Sequence, residues 1–163
     1  MSTMNKAYLL TGGNLGNRKE TLETARVHIG HQCGNISNAS SFYETVAWGK
    51  NDQPSFLNQA LEIQTEWTPR QLLKKILNIE KQIGRIRNEK YGPRIIDIDI
   101  LLFNDEIYNY PLLKIPHPEL QNRRFVLVPL AEIASEIIHP VFKKTISELL
   151  ALCPDKLEVS KFT

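Results

Sequence analysis

A chain of 163 residues, 42% hydrophobic and 23% charged, is long enough for one buried core and too short for two fused enzymes. Its net charge of +2 gives no general pull toward nucleic acid, and no apolar run approaches the ~20 residues of a membrane span. The two cysteines, Cys33 and Cys153, lack metal-ligand spacing and are expected as buried thiols in a reducing compartment. With no signal-peptide layout at the N-terminus, a cytoplasmic location is expected.

In chain order, Ala7 to Thr11 reads as a short strand that stops at Gly12-Gly13. Asn17 can cap a following helix, with Glu20 to complete a capping box and Gly30 as the expected stop. Ile36 to Thr45 and Phe56 to Thr65 read as strands, joined through a polar loop around Gly49 to Pro54. Thr68 caps the next helix, Pro69 takes its first position, and Leu72, Leu73, Ile76, Ile79 and Ile83 recur at helical spacing. The stretch from Gly84 to Arg94 has no apolar period and holds Arg85, Arg87, Lys90 and Arg94.

Ile95 to Phe103 is β-branched and apolar except for two carboxylates, as a buried strand reads. Asn104-Asp105 is then a turn and Glu106 to Tyr108 a short return strand; Phe125 to Ala134 and Thr145 to Leu152 read as helices. The core order of strand, helix, strand, strand, helix, strand is that of an α+β, ferredoxin-like βαββαβ domain. Its helices are expected on one face of an antiparallel sheet, leaving the other for loops and ligands. Residues 1–163 are expected to form this single domain.

The chemistry concentrates in Lys90 to Leu101. Alternation puts Asp97 and Asp99 on one face of their strand and Ile96, Ile98 and Ile100 on the other. Paired carboxylates amid aliphatic surface need a positive partner, and a hard divalent cation shared with phosphates is a natural one. The solvated face of an edge strand would read the same way over these three residues alone. So would the Asp-x-Asp grip of a metal-dependent nucleotide-sugar transferase. Thr11-Gly12-Gly13-Asn14-Leu15-Gly16 lacks the dinucleotide spacing, and no Gly-x-x-x-x-Gly-Lys-Ser/Thr run is present, so any ATP is handled without a P-loop.

The whole run, a basic residue, Gly92-Pro93-Arg94, two spacers, Asp97-Ile98-Asp99 and two aliphatics, resembles the signature of the 6-hydroxymethyl-7,8-dihydropterin pyrophosphokinase family of folate biosynthesis. Pro116-His117-Pro118 followed by Arg123-Arg124-Phe125 resembles a second block of that family, and Gly12-Gly13-Asn14 a third. The resemblance implies transfer of diphosphate from ATP to the hydroxymethyl group of a reduced pterin, releasing AMP. It implies two Mg²⁺ ions held by Asp97 and Asp99, with Arg85 and Arg94 as catalytic arginines. ATP would be bound by Glu80, Arg87, Lys90, Ile100, His117 and Arg123. The pterin would be bound by Gly12, Thr45, Val46, Trp48, Phe56, Asn58 and Phe125.

The segment Val46-Ala47-Trp48-Gly49 lacks the proline common there in the family. A monomer is expected, with ATP and the pterin as its only partners and neither nucleic acid nor membrane among them. The rival reading is a ferredoxin-like RNA-binding module, which would stack bases on Phe42 and Tyr43.

Overall fold

The computed structural model describes residues 4–46, 53–84 and 95–163. A six-stranded antiparallel sheet forms its centre, with strands β1 (Asn5–Gly13), β2 (Asn35–Ala39), β3 (Tyr43–Thr45), β4 (Phe56–Thr65), β5 (Asp97–Phe103) and β8 (Val159–Lys161). The order is β5-β1-β4-β3-β8, and β2 pairs β4 alongside β3. The expected strand over Ile36 to Thr45 is therefore two strands in series on one edge of β4. The break falls at Ser40, whose hydroxyl accepts the Ala60 N–H of the neighbouring strand at 2.9 Å in place of a ladder carbonyl.

Helix α1 (Arg18–Gln32) begins where expected, with Asn17 accepting the Glu20 N–H. Glu20 answers the Asn17 side-chain amide at 3.1 Å and not its backbone. The helix runs past Gly30 to Gln32, and the glycine that matters is Gly34, where a Cβ would lie 2.3 Å from the Gln64 carbonyl oxygen. Helix α2 (Pro69–Ile83) has the full capping box of Thr68 and Gln71 and ends on Gly84 at φ 104°. Both helices lie on one face of the sheet over Ala7, Leu9, Leu57, Leu61, Ile63 and the isoleucines 96, 98 and 100.

The opposite face is not left bare, contrary to expectation. Helices α3 (Arg124–Ala134) and α4 (Ile146–Leu152) cover its far end, burying Val126, Leu127, Leu130, Ile146 and Leu149 against Tyr8, Leu10, Ala60, Leu101 and Leu102. Leu101 and Leu102 share that face because the β1–β5 register slips between Tyr8 and Leu9, making Leu101 an extra residue in β5. Glu132 ties α3 to β3 by accepting the Tyr43 hydroxyl at 2.5 Å and the Ser41 N–H at 3.0 Å.

The return strand expected at Glu106 to Tyr108 is displaced. Tyr108–Tyr110 (β6) pairs with Leu113–Ile115 (β7) in a separate two-stranded ribbon, so the turn at Asn104-Asp105 does not fold back onto β5. Among the described residues no helix is long and apolar enough to cross a membrane.

Candidate active site

The uncovered part of the second face is a pocket at the Gly12 end of β1. Gly12, Thr45, Val46, Phe56, Asn58, Asp97, Asp99, Arg123 and Phe125 all line it, as does Leu10. Nine residues singled out from the sequence thus meet in one cavity, brought from four strands and from the start of α3. Leu10 was not among them, although it shares Gly12's face of β1 by simple alternation.

The carboxylates stand where the strand period puts them. Asp97 and Asp99 pair with Gly12 and Leu10 across β1, and both face the pocket while Ile98 and Ile100 enter the core beneath. Residues two apart on a strand are about 6.6 Å apart, close enough to share charge with one polyphosphate. Glu80 on α2 is buried behind this strand, 3% exposed, and its Oε2 accepts the Ile98 N–H at 2.7 Å. It therefore secures the exposed edge of β5, the strand that carries the acids. The Ile100 side chain belongs to the helix-side core, which leaves its main chain as the part facing outward from the sheet edge.

Asn58 sits opposite Asp97 across β1, since Gly12 pairs with both. Its Nδ2 donates to the Thr11 carbonyl at 3.2 Å, which orients the amide. Its Oδ1 is buried with no hydrogen-bond partner among the described residues, and the residue is only 5% exposed. A buried carbonyl oxygen left unmatched costs roughly 1–3 kcal/mol, so a ligand N–H that satisfied it would recover that cost. The reason for Gly12 also becomes clear: a Cβ there would lie 2.2 Å from Asn58 Nδ2. The glycine makes room first for the amide, and only through it for a ring.

Arg123 precedes α3 and Phe125 lies in its first turn, with the guanidinium carbon 5.9 Å from the ring centroid. His117 joins them from the segment after β7. Its main-chain N–H donates to the Leu101 carbonyl at 3.0 Å, which fastens this segment to the irregular part of β5. Burial above all, then the Arg123 guanidinium, pushes the imidazole down to about 4, against the opposing influence of Asp97 and Glu119. At neutral pH the ring is uncharged. Nδ1 accepts the Glu119 N–H at 3.1 Å, an arrangement that assigns the proton to Nε2. His117 is thus a neutral donor beside an acid and an arginine.

Among the described residues no group of three or more His, Cys, Asp or Glu is gathered for a metal. Two carboxylates alone fit Mg²⁺, which accepts one or two protein oxygens and completes its shell from water and substrate phosphates. Arg85, Arg87, Lys90, Arg94 and Trp48 lie outside the described residues.

The pocket thus brings aromatic and amide groups together with paired acids and an arginine. Comparison with known proteins gives the class. Residues 8–135 match the family model of 7,8-dihydro-6-hydroxymethylpterin-pyrophosphokinase.

A curated relative from Aquifex aeolicus, named 2-amino-4-hydroxy-6-hydroxymethyldihydropteridine pyrophosphokinase, is 42% identical over 89% of this chain and 90% of its own length. A Bacillus subtilis relative of the same name is 42% identical over 82% of this chain and 80% of its own. The fission-yeast folic acid synthesis protein fol1 is 40% identical over 95% of this chain, which spans only 21% of that protein. In fold, the chain superposes on the Plasmodium falciparum HPPK-DHPS with a TM-score of 0.75 at 19% identity, covering 93% of this chain and 44% of that one. The chain belongs to the HPPK family, the pyrophosphokinases of folate synthesis. The RNA-binding and nucleotide-sugar readings fall with that assignment.

Proposed function

We propose that the pocket binds 6-hydroxymethyl-7,8-dihydropterin between Phe125 and Asn58 and presents its hydroxymethyl group to ATP held over Asp97 and Asp99. The observation that carries this reading is the buried Asn58 Oδ1, unmatched among the described residues, in a pocket that the two aspartates also line. A pterin edge offers ring and amino N–H donors for that oxygen, and its flat face suits the phenyl ring. The order β5-β1-β4, with β2 and β3 in series as the next strand, supports a ferredoxin-like core and residues 1–163 as one pyrophosphokinase domain.

Each residue then has a stated task. Phe125 stacks on the heterocycle, with Phe56, Thr45, Val46 and Trp48 as its surround and Gly12 as the space that admits Asn58. Arg123 and the Nε2–H of His117 donate to phosphate oxygens, one charged and one neutral, which fixes the nucleotide without oversupplying charge. Arg85 and Arg94 serve the transferring group, where positive donors count most as charge builds on the phosphoryl oxygens. Arg87, Lys90 and the main chain of Ile100 complete the nucleotide site, and Glu80 serves it from behind by holding β5 through the Ile98 N–H.

Two Mg²⁺ ions, bound by Asp97, Asp99 and phosphate oxygens, would neutralise the triphosphate and lower the pKa of the attacking hydroxyl. No side chain in the pocket is required as a general base. Holding the hydroxyl in line with the β-phosphorus supplies much of the rate by positioning alone. The protein is proposed to act as a cytoplasmic monomer.

Separate calorimetric titrations of the pterin and of a non-hydrolysable ATP analogue with Mg²⁺ test the arrangement. Asn58→Ala should weaken the pterin alone, and Asp97→Asn the nucleotide–Mg²⁺ complex alone. Loss of both ligands in either variant, or of neither, would contradict this division of the pocket.

A further inference from the structure

Two walls of the pocket hang from the ends of β3 and β4: Thr45 and Val46 on one, Phe56 on the other. Thr45 and Phe56 face each other in the β3–β4 ladder, and Asn14 Nδ2 donates to the Pro54 carbonyl nearby at 3.0 Å. Both ends are tied again from outside the ladder by Arg18, the first residue of α1. Its Nη1 donates to Glu44 Oε2 at 2.6 Å and to the Ser55 carbonyl at 2.9 Å. Glu44 directly precedes Thr45, and Ser55 directly precedes Phe56.

A third element closes over the same guanidinium. The Phe162 ring centroid lies 5.3 Å from the Arg18 guanidinium carbon. Phe162 follows β8, which pairs Thr45 with Val159 and Tyr43 with Lys161, and the Thr45 hydroxyl donates to the Glu158 carbonyl at 2.9 Å. This strand lies beyond the residues 8–135 that match the family model.

We propose that Arg18 is a positioning residue for the pterin: it braces the Thr45–Phe56 rung of the β3–β4 ladder against α1, and Phe162, just after the C-terminal strand, packs over its guanidinium. Both bonds leave the same Nη1, so a lysine ammonium could make them, but it would lack the flat guanidinium that stacks toward Phe162. The ion pair is partly solvent-exposed, at 21% and 37% for the two side chains, so its share of global stability is small. Its effect is local. A wall ordered before binding spares the ligand the cost of ordering it, worth about tenfold in affinity for one or two side chains.

The inference rests on the pterin reading of the pocket, and the test separates the two. Pterin and ATP-analogue dissociation constants, steady-state KM and kcat, and melting temperature are measured for Arg18→Ala, Arg18→Lys, Glu44→Gln and, as a reference, Asn58→Ala. Arg18→Ala should raise the pterin Kd and KM about tenfold, leave ATP-analogue affinity and kcat at saturation near wild type, and barely move the melting temperature. Arg18→Lys should recover part of the loss.

Should Arg18→Ala fold poorly, Glu44→Gln carries the same prediction at smaller size. Normal pterin binding in the Arg18 and Glu44 variants, with Asn58→Ala impaired, would overturn the inference and leave the pocket reading standing. Equal loss of both ligands would also overturn it. Normal pterin binding in Asn58→Ala as well would remove the pocket reading itself.

Discussion

Asn58 lies across Gly12, its Nδ2 in the space where a side chain at position 12 would begin, 2.2 Å from an ideal Cβ. The glycine and the amide are one device, because the Thr11 carbonyl that orients Asn58 belongs to the residue before Gly12. Gly12→Ala should therefore behave like a loss of Asn58. Pterin affinity should fall at least tenfold, consistent with roughly 1–3 kcal/mol for an unmet buried group, while ATP-analogue binding holds. Normal pterin titration in a folded Gly12→Ala protein would mean that Asn58 has another productive rotamer.

Phe125 is partly buried against the α3–α4 core and also lines the pocket, so packing and stacking compete as its purpose. Stacking of a heterocycle on an aromatic side chain is worth about 1–3 kcal/mol by alanine substitution. Phe125→Ala should weaken pterin roughly ten- to a hundredfold and Phe125→Tyr very little. A Phe125→Ala protein that loses melting temperature but keeps its pterin affinity would assign the ring to the core.

His117 makes stability depend on acidity in a defined window. An unfolded histidine takes its proton near pH 6.5, whereas His117 refuses one until about 4. Across that window the unfolded chain binds more protons, so stability is full above pH 6.5 and falls as pH drops toward 4. The loss reaches about 3 kcal/mol when complete. Urea unfolding of the ligand-free protein at pH 7 and pH 4.5, with His117→Asn alongside, isolates this share. The variant should show the shallower decline, and equal declines would contradict a neutral, half-buried imidazole.

How much of this was legible in the sequence follows from the range of the interactions involved. The face of Asp97 and Asp99, the caps at Asn17 and Thr68, and the span of β4 depend on neighbours within a few residues, so period and capping chemistry revealed them. Misplaced features depend on distant partners. β6 pairs with β7 and not with β5, the strand expected at 36–45 breaks where Ser40 bonds Ala60, and α1 outlasts Gly30 because only Gly34 meets the Gln64 backbone.

The site residues were found through their resemblance to a family motif, which compresses three-dimensional proximity into sequence. What the motif omits, Leu10 in the pocket and Arg18 behind its walls, appears only once the strands are assembled. Covering of the second face by α3 and α4 was likewise hidden, since an apolar helix does not announce which side of a sheet it will meet.

The guanidinium of Arg94 gives a kinetic prediction. A donor that serves developing charge is worth about 3 kcal/mol, so Arg94→Ala should reduce kcat roughly a hundredfold or more with little change in ATP-analogue affinity. A matching loss in affinity with no further loss in kcat would make Arg94 a ground-state contact.

The central claim is that a diphosphate moves as one unit from ATP to the pterin hydroxymethyl group over Asp97 and Asp99. Phosphorus NMR of a single reaction holding the protein, ATP, Mg²⁺ and 6-hydroxymethyl-7,8-dihydropterin follows every phosphorus atom at once. The three ATP resonances should give way to the single resonance of AMP and a coupled pair from the pterin diphosphate, with neither product formed by Asp97→Ala or Asp99→Ala. Accumulation of ADP with a pterin monophosphate, or undiminished turnover in either aspartate variant at saturating Mg²⁺, would contradict it.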